Sequence, residues 1–380
     1  MIDSLSIISG KGGSGKTSLA ILLSQLLASC GHKVLLIDCD MSTHGATYFF
    51  ENLFKQKECY YTISNILYGN TNIQQIDLEI LKISFDIGFI PSRLDFSSKK
   101  KPGDVINQEK WLSFIKEIEK QNYDIMIFDC QAGYSVETEM ATKFSKVNLA
   151  VIEADAISAS ALRVLYAQLS KQLDKGKTYQ VFNKITKEEQ EIYSKLTHGT
   201  LFTNLNPILF DWNVRKAFVT NELPEINASN PILTTNIYEL ALVLFPQYKD
   251  KLREFILGIK QEIISSLNEK LKLIKTSTKI KSFKKMINTL SPLILAMISI
   301  FFVFFTSTIN IREGISFFLK GDNYIIILSA ICLGVFSSLI IILIKKEGDN
   351  DYQKQMLEIK KEQKQLEEEI SRIKSKLNQQ

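Results

Sequence analysis

Nine residues near the start of the chain, Ser9-Gly10-Lys11-Gly12-Gly13-Ser14-Gly15-Lys16-Thr17, hold its densest chemistry. An apolar strand-like run precedes them (Leu5-Ser6-Ile7-Ile8) and a helix-like run follows (Leu19-Ala20-Ile21-Leu22-Leu23). A glycine-rich turn between strand and helix lets backbone N–H groups converge on phosphate oxygens, and the helix N-terminus adds a favourable dipole. In this pattern Lys16 reaches the β- and γ-phosphates and the Thr17 hydroxyl holds Mg²⁺, with the stretch from Gly10 to Ser18 lining the nucleotide.

Acids and amides close the next apolar runs. Lys33-Val34-Leu35-Leu36-Ile37 leads to Asp38-Cys39-Asp40, and Tyr123-Asp124-Ile125-Met126-Ile127-Phe128 leads to Asp129. Further strand candidates are Asn148 to Glu153 and Tyr179 to Lys184. Alternating strands and amphipathic helices over residues 1–250 predict a mostly parallel sheet covered on both faces. Ligands of such sheets sit outside the strands' carboxyl ends, where these polar residues fall. Asp129 takes the Walker B position, orienting Mg²⁺ directly or through water.

The loop has a second lysine, Lys11, ahead of its double glycine, and Lys-Gly-Gly-x-Gly-Lys-Thr resembles the deviant Walker A of ParA/MinD-type ATPases. The resemblance covers residues 1 to about 250 and implies a P-loop NTPase fold that uses ATP and Mg²⁺ and forms an ATP-dependent homodimer. It implies that Lys11 crosses the dimer interface to the partner's nucleotide, so that hydrolysis depends on pairing. Asp38 and Asp40 resemble the family's Asp-x-Asp, Asp38 in the metal's surroundings and Asp40 beside the attacking water. With Lys11 and Lys16, Asp40 completes the implied catalytic set; Thr17, Asp38 and Asp129 form the implied metal set. Asn183-Lys184 resembles the turn that contacts adenine, and Asp211, ahead of Val214-Arg215-Lys216-Ala217, would border the base pocket. Arg215 would serve a dimer or partner surface, or lie solvated on its helix. The chain departs from the family in Met41-Ser42-Thr43-His44-Gly45 and at Gln131, both in switch segments; His44 reads as a loop histidine before a catalytic base.

The net charge of +5 is modest, but seven lysines fall between Lys270 and Lys285 with no acid among them. Five scattered cysteines and three histidines lack zinc-site or disulfide spacing, which fits a reducing cytosol, and no signal peptide precedes the first strand. Leu290 to Ile309 and Tyr324 to Ile344 are uncharged runs of 20 and 21 residues. Each is long enough to span the ~30 Å hydrocarbon core. The predicted order after the ATPase domain is a basic helical connector (251–288), a transmembrane helix (289–309), an extracytoplasmic loop (310–323), a second transmembrane helix (324–344) and a coiled coil (351–380). Lysines flanking both spans place both termini in the cytoplasm, for a multi-pass protein of the inner membrane. Abutting a span, the block Lys270–Lys285 suits anionic lipid headgroups rather than nucleic acid. Tyr352, Met356, Ile359, Gln363, Leu366, Ile370, Ile373 and Leu377 recur at steps of four and three, a coiled-coil seam.

Together these features predict a membrane-anchored ATPase switch that recruits or positions an as yet unidentified protein partner at the membrane. A stress or phage-defence effector acting through the hairpin is the alternative, and uncharged spans lean against a conducting pore. A relative of the polysaccharide-type bacterial tyrosine kinases fits less well, because the chain ends in Lys, Glu and Gln without a tyrosine cluster.

Overall fold

In the computed structural model the structure describes residues 2–54, 62–68, 81–84, 86–92, 108–173, 177–186, 188–189, 201–270 and 272–273, with 354, 357–358, 360–362, 364–365, 367–368 and 371 near the end. The first elements are β1 (Asp3–Ser9), α1 (Lys16–Ser29), β2 (Val34–Cys39), α2 (Gly45–Phe49), α3 (Glu51–Phe54), α4 (Ile63–Tyr68), β3 (Leu81–Ser84) and β4 (Ile87–Ile90). Next come α5 (Gln108–Glu119), β5 (Ile125–Ala132), α6 (Val136–Phe144), β6 (Val147–Ile152), α7 (Ala156–Leu173) and β7 (Lys177–Phe182). The short β8 (Thr203–Asn204), α8 (Trp212–Thr220) and α9 (Pro231–Leu244) follow, then a 3₁₀ turn (Pro246–Tyr248) and helix α10 over 249–270.

The described strands form one eight-stranded sheet in the order β3-β4-β2-β5-β1-β6-β7-β8. Every neighbouring pair is parallel except β3 with β4. The expected mostly parallel sheet is therefore present, with β1 flanked by β5 and β6 at its centre.

Residues alternate between the two faces of the sheet. Leu35, Ile37 and Cys39 of β2 and Met126, Phe128 and Cys130 of β5 join a core with Trp111 and Phe114 of α5 and Leu162, Leu165 and Leu169 of α7. The intervening residues face the other side, where α1 packs on β1, β2 and β5. That helix is apolar nearly all round, burying Leu19, Leu22, Leu23, Leu26 and Leu27, each worth about 1.5–3 kcal/mol. Helix α9 covers α1, and α10 buries Leu252 and Ile256.

Two compact units divide the chain, Met1–Ile259 and Lys260–Gln380. Both predicted membrane spans and the loop between them lie outside the described residues, as do the eight seam positions of the predicted coil. Among the described residues no helix is long and apolar enough to cross a membrane. The described residues within 354–371 are helical and exposed, with Lys364 Nζ 4.0 Å from Glu368 one turn on.

Candidate functional site

Strand pairing brings the acids together. Asp38 of β2 lies directly beside Asp129 of β5, and Asp129 beside Ile7 of β1. Since Cys39 and Cys130 turn into the opposite core, alternation sends Asp38 and Asp129 to the α1 side, toward the phosphate loop. Helix α1 starts after Gly15, whose φ of 92° lies in the left-handed region, with no side-chain cap and no acid in the first turn. The first-turn N–H groups, those of Thr17 and Ser18 among them, are therefore left for an anion.

Thr17 Oγ1 donates to Asp129 Oδ2 at 2.7 Å, and Lys16 Nζ donates to Ser9 Oγ at 3.0 Å. Asp129 Oδ1 and the Ser14 hydroxyl are buried without a hydrogen-bond partner among the described residues. Burial and the neighbouring Asp38 charge push the Asp129 carboxyl up to about 8, outweighing Lys16 and Thr17. Burial likewise raises Asp38 to about 6, against the opposing hydrogen bonds from Thr47 and the Asp40 backbone. The site thus holds more acid than Lys16 offsets and offers one orphaned carboxylate oxygen and one orphaned hydroxyl, which fits Mg²⁺ with a polyphosphate. Among the described residues no three His, Cys, Asp or Glu side chains are grouped to hold a metal by themselves. Mg²⁺ typically takes one or two carboxylates and completes its shell with phosphate and water.

The two remaining acids organise the loop after β2. Asp38 is fully buried; its Oδ1 accepts the Asp40 N–H at 2.9 Å and its Oδ2 accepts the Thr47 N–H at 2.8 Å and hydroxyl at 2.6 Å. Asp40 Oδ1 accepts from the N–H groups of Ser42 and Thr43, and its Oδ2 from the Thr43 hydroxyl at 2.6 Å. These bonds fold residues 40–43 into a tight turn.

Lys11 points along its own chain. Its Nζ lies 3.3 Å from both Glu153 Oε2 and Asp155 Oδ2, beyond the end of β6, and these two carboxylates raise its pKa. Lys184 Nζ bonds the Gly13 carbonyl and lies 3.0 Å from Glu153 Oε1. Asn183 Nδ2 donates to the Ser14 carbonyl at 2.9 Å. Asn183 and Lys184 therefore hold the phosphate loop from behind, through its backbone. Asp211 caps α8, accepting from the N–H of Asn213 at 2.7 Å and that of Val214 at 3.3 Å. The Arg215 guanidinium stacks on the exposed Trp212 ring at 5.2 Å.

Residues 3–197, just over half of the chain, match the AAA domain family. The chain belongs to this family. The septum site-determining protein MinD of Synechocystis is 28% identical over 127 residues, 33% of this chain and 44% of that protein. An uncharacterized ATP-binding protein of Methanocaldococcus jannaschii is 26% identical over 223 residues, 57% of this chain and 78% of that protein. The chain spans about two fifths of the length of the MinD relatives it matches. Among solved structures, the MinD cell division protein of Aquifex aeolicus superposes with a TM-score of 0.52 at 23% identity, over 64% of this chain and 97% of that one. MinD of Pyrococcus horikoshii, complexed with Mg-ADP, superposes at 0.51 and 21% identity, over 66% of this chain and 99% of that one. These likenesses establish a ParA/MinD-type P-loop fold.

Three residues of this AAA-domain protein, Glu153, Asp155 and Ser92, enter the site without a motif to announce them, and Ser9, at the head of the loop motif, takes a role the motif did not assign. Ser9 receives Lys16, Glu153 and Asp155 receive Lys11, and Ser92, just after β4, reaches Asp38 at 3.2 Å. Of the three outside the loop motif, only Glu153 had a sequence signal, since it ends an apolar strand-like run as Asp129 does.

Proposed function

We propose that this AAA-domain protein is a membrane-anchored ATPase that pairs on ATP and uses the nucleotide cycle to recruit or position a partner protein at the membrane. The observation that carries the enzymatic part is the orphaned Asp129 Oδ1 beside the Thr17 hydroxyl, at the uncapped N-terminus of α1. When bound, Mg²⁺-ATP supplies the reactive γ-phosphoryl group and the positive charge that the buried carboxylates lack.

The chain's own residues bind, orient and gate. The backbone from Gly10 to Ser18 holds the phosphates, and Lys16 leaves Ser9 to neutralise them. Thr17 and Asp129 hold the metal while Asp38, both oxygens occupied by protein donors, steadies its surroundings. Asp40 orients the attacking water from its turn. Asn183 and Lys184 brace the loop through its carbonyls, and with Asp211 they would border the base. Lys11 leaves Glu153 and Asp155 for the partner's phosphates, so full charge compensation arises only in a closed pair.

Two uncharged runs of 20 and 21 residues after the basic block support a fixed anchor with both ends in the cytoplasm, and the Lys270–Lys285 block meets anionic headgroups. Insertion of even one such span is effectively irreversible. The nucleotide then controls pairing and partner capture at the surface, not membrane residence. The test is the full chain reconstituted into vesicles at increasing protein-to-lipid ratio. ATP turnover per molecule should rise with surface density, and an ATP-bound pair should be captured by cross-linking. Constant turnover with no captured pair would sink the proposal; leakage of vesicle contents on ATP addition would favour a membrane-disrupting effector instead.

A further inference from the structure

His44 interrupts the family pattern, and its surroundings give it work. Its backbone φ of 51° is left-handed, its side chain is buried, and its Nδ1 lies 2.9 Å from Ser92 Oγ. Ser92, itself fully buried, donates its hydroxyl to Asp38 Oδ2 at 3.2 Å and its N–H to Thr47 Oγ1 at 2.9 Å. Thr47 donates its own hydroxyl hydrogen bond to the same Asp38 oxygen at 2.6 Å.

Counting protons gives this chain a direction. Ser92 has one hydroxyl proton, and Asp38, the charged acceptor within reach among the described residues, takes it ahead of the neutral Thr47 Oγ1, 3.0 Å away. The Ser92 oxygen is then open to a donor, which assigns the His44 proton to Nδ1. The alternative tautomer would have His44 compete with Asp38 for the serine proton. One residue further on, a Cβ on Gly45 would lie 3.0 Å from Thr17 Oγ1. The His44–Gly45 turn is thus seated directly against the hydroxyl assigned to Mg²⁺.

We infer that His44 and Ser92 are positioning residues for the proposed hydrolysis: they hold the Asp38 carboxylate and keep the His44–Gly45 turn closed on Thr17. The inference rests on the ATPase reading and names two residues that reading does not require. Neither touches nucleotide; both act through Asp38 and the loop it anchors. Groups that orient a metal's surroundings in this way typically change metal affinity by about 10–100-fold when removed.

The experiment uses the full chain with a fluorescent, non-hydrolysable ATP analogue titrated with Mg²⁺. Ser92→Ala and His44→Gly should each raise the Mg²⁺ midpoint about tenfold or more, and lower kcat with little change in KM for ATP. Glycine relieves the left-handed backbone, so the His44 effect reports loss of the ring alone. His44→Asn, which tolerates that backbone and puts an amide nitrogen where Nδ1 stood, should recover most of the Mg²⁺ response, as should Ser92→Thr. A purely structural role would instead lower the melting temperature and leave the Mg²⁺ midpoint in place, overturning the inference. Unchanged midpoints in both Ser92→Ala and His44→Gly would overturn it too, with the ATPase reading intact. Wild-type protein whose nucleotide binding ignores Mg²⁺ would refute the reading and the inference together.

Discussion

Gly10→Ala tests whether the phosphate loop is held as the fold implies. An added Cβ would lie 2.2 Å from the Ala161 carbonyl carbon, 2.3 Å from its oxygen and 2.5 Å from the Leu162 nitrogen. These are backbone atoms of α7, which is fixed to the sheet by the buried side chains of Leu162, Leu165 and Leu169. Ordinary contact begins near 3.4 Å, so the loop must withdraw by about 1.2 Å. Overpacking of this kind costs about 1–3 kcal/mol. In a domain of this size each kcal/mol lowers the melting temperature by about 2–4 °C, so a fall of roughly 2–12 °C follows. A shift of about 1 Å in a group that orients substrate can also cost about 100-fold in rate. Thermal melting and ATP turnover of the full chain are the assays. Gly12→Ala provides the contrast, because its Cβ meets nothing within 4 Å, and its stability should stay within about 0.5 kcal/mol of wild type. A Gly10→Ala protein that melts and turns over like wild type would show that the loop does not rest on α7.

Three further outcomes follow from the same geometry. Lys11→Ala should keep nucleotide binding but lose hydrolysis and pairing; binding lost along with hydrolysis would place Lys11 on its own chain's nucleotide. Glu153→Gln removes one of the two carboxylates that hold Lys11 and the one that holds Lys184, so pairing on ATP should appear at lower protein concentration in sedimentation. An unchanged pairing curve would mean that these exposed ion pairs do not restrain Lys11. His32 packs on Tyr248 with ring centroids 4.1 Å apart, and burial, aided by Lys251 and opposed by Asp124, holds its pKa below the ordinary 6.5. The folded state therefore keeps His32 neutral, so its contribution is complete above about pH 6.5 and is lost as pH falls through the lowered pKa. His32→Phe should flatten that part of the melting-temperature profile between pH 7 and 5; an identical slope would exclude His32 as its source.

The legible parts of the site were those encoded by neighbours in the chain. The run Ser9–Thr17 announced a phosphate loop because one turn must supply its glycines, lysine and hydroxyl together. Asp38, Asp40 and Asp129 stood out because an acid ending an apolar run marks a strand leaving the core. Asn183, Lys184 and Asp211 were found as residues, but only the structure revealed what they hold: two loop carbonyls and the start of α8. Ser92 had no signal, since a serine after a short strand is ordinary until its neighbour proves to be a buried carboxylate.

The sequence by itself determined the local chemistry: a phosphate loop, acids at strand ends, a basic block, and two uncharged runs long enough to span a bilayer. Composition and short-range spacing are enough for these, because each depends on residues within one turn, strand or helix. The tertiary structure alone decided the pairings. It put Asp38 in register with Asp129, seated Gly10 on Ala161, and gave Lys11 to acids 142 and 144 residues away. A parallel sheet orders its strands by packing and crossover handedness, so neighbours in the site are strangers in the chain, and no spacing rule could have paired them.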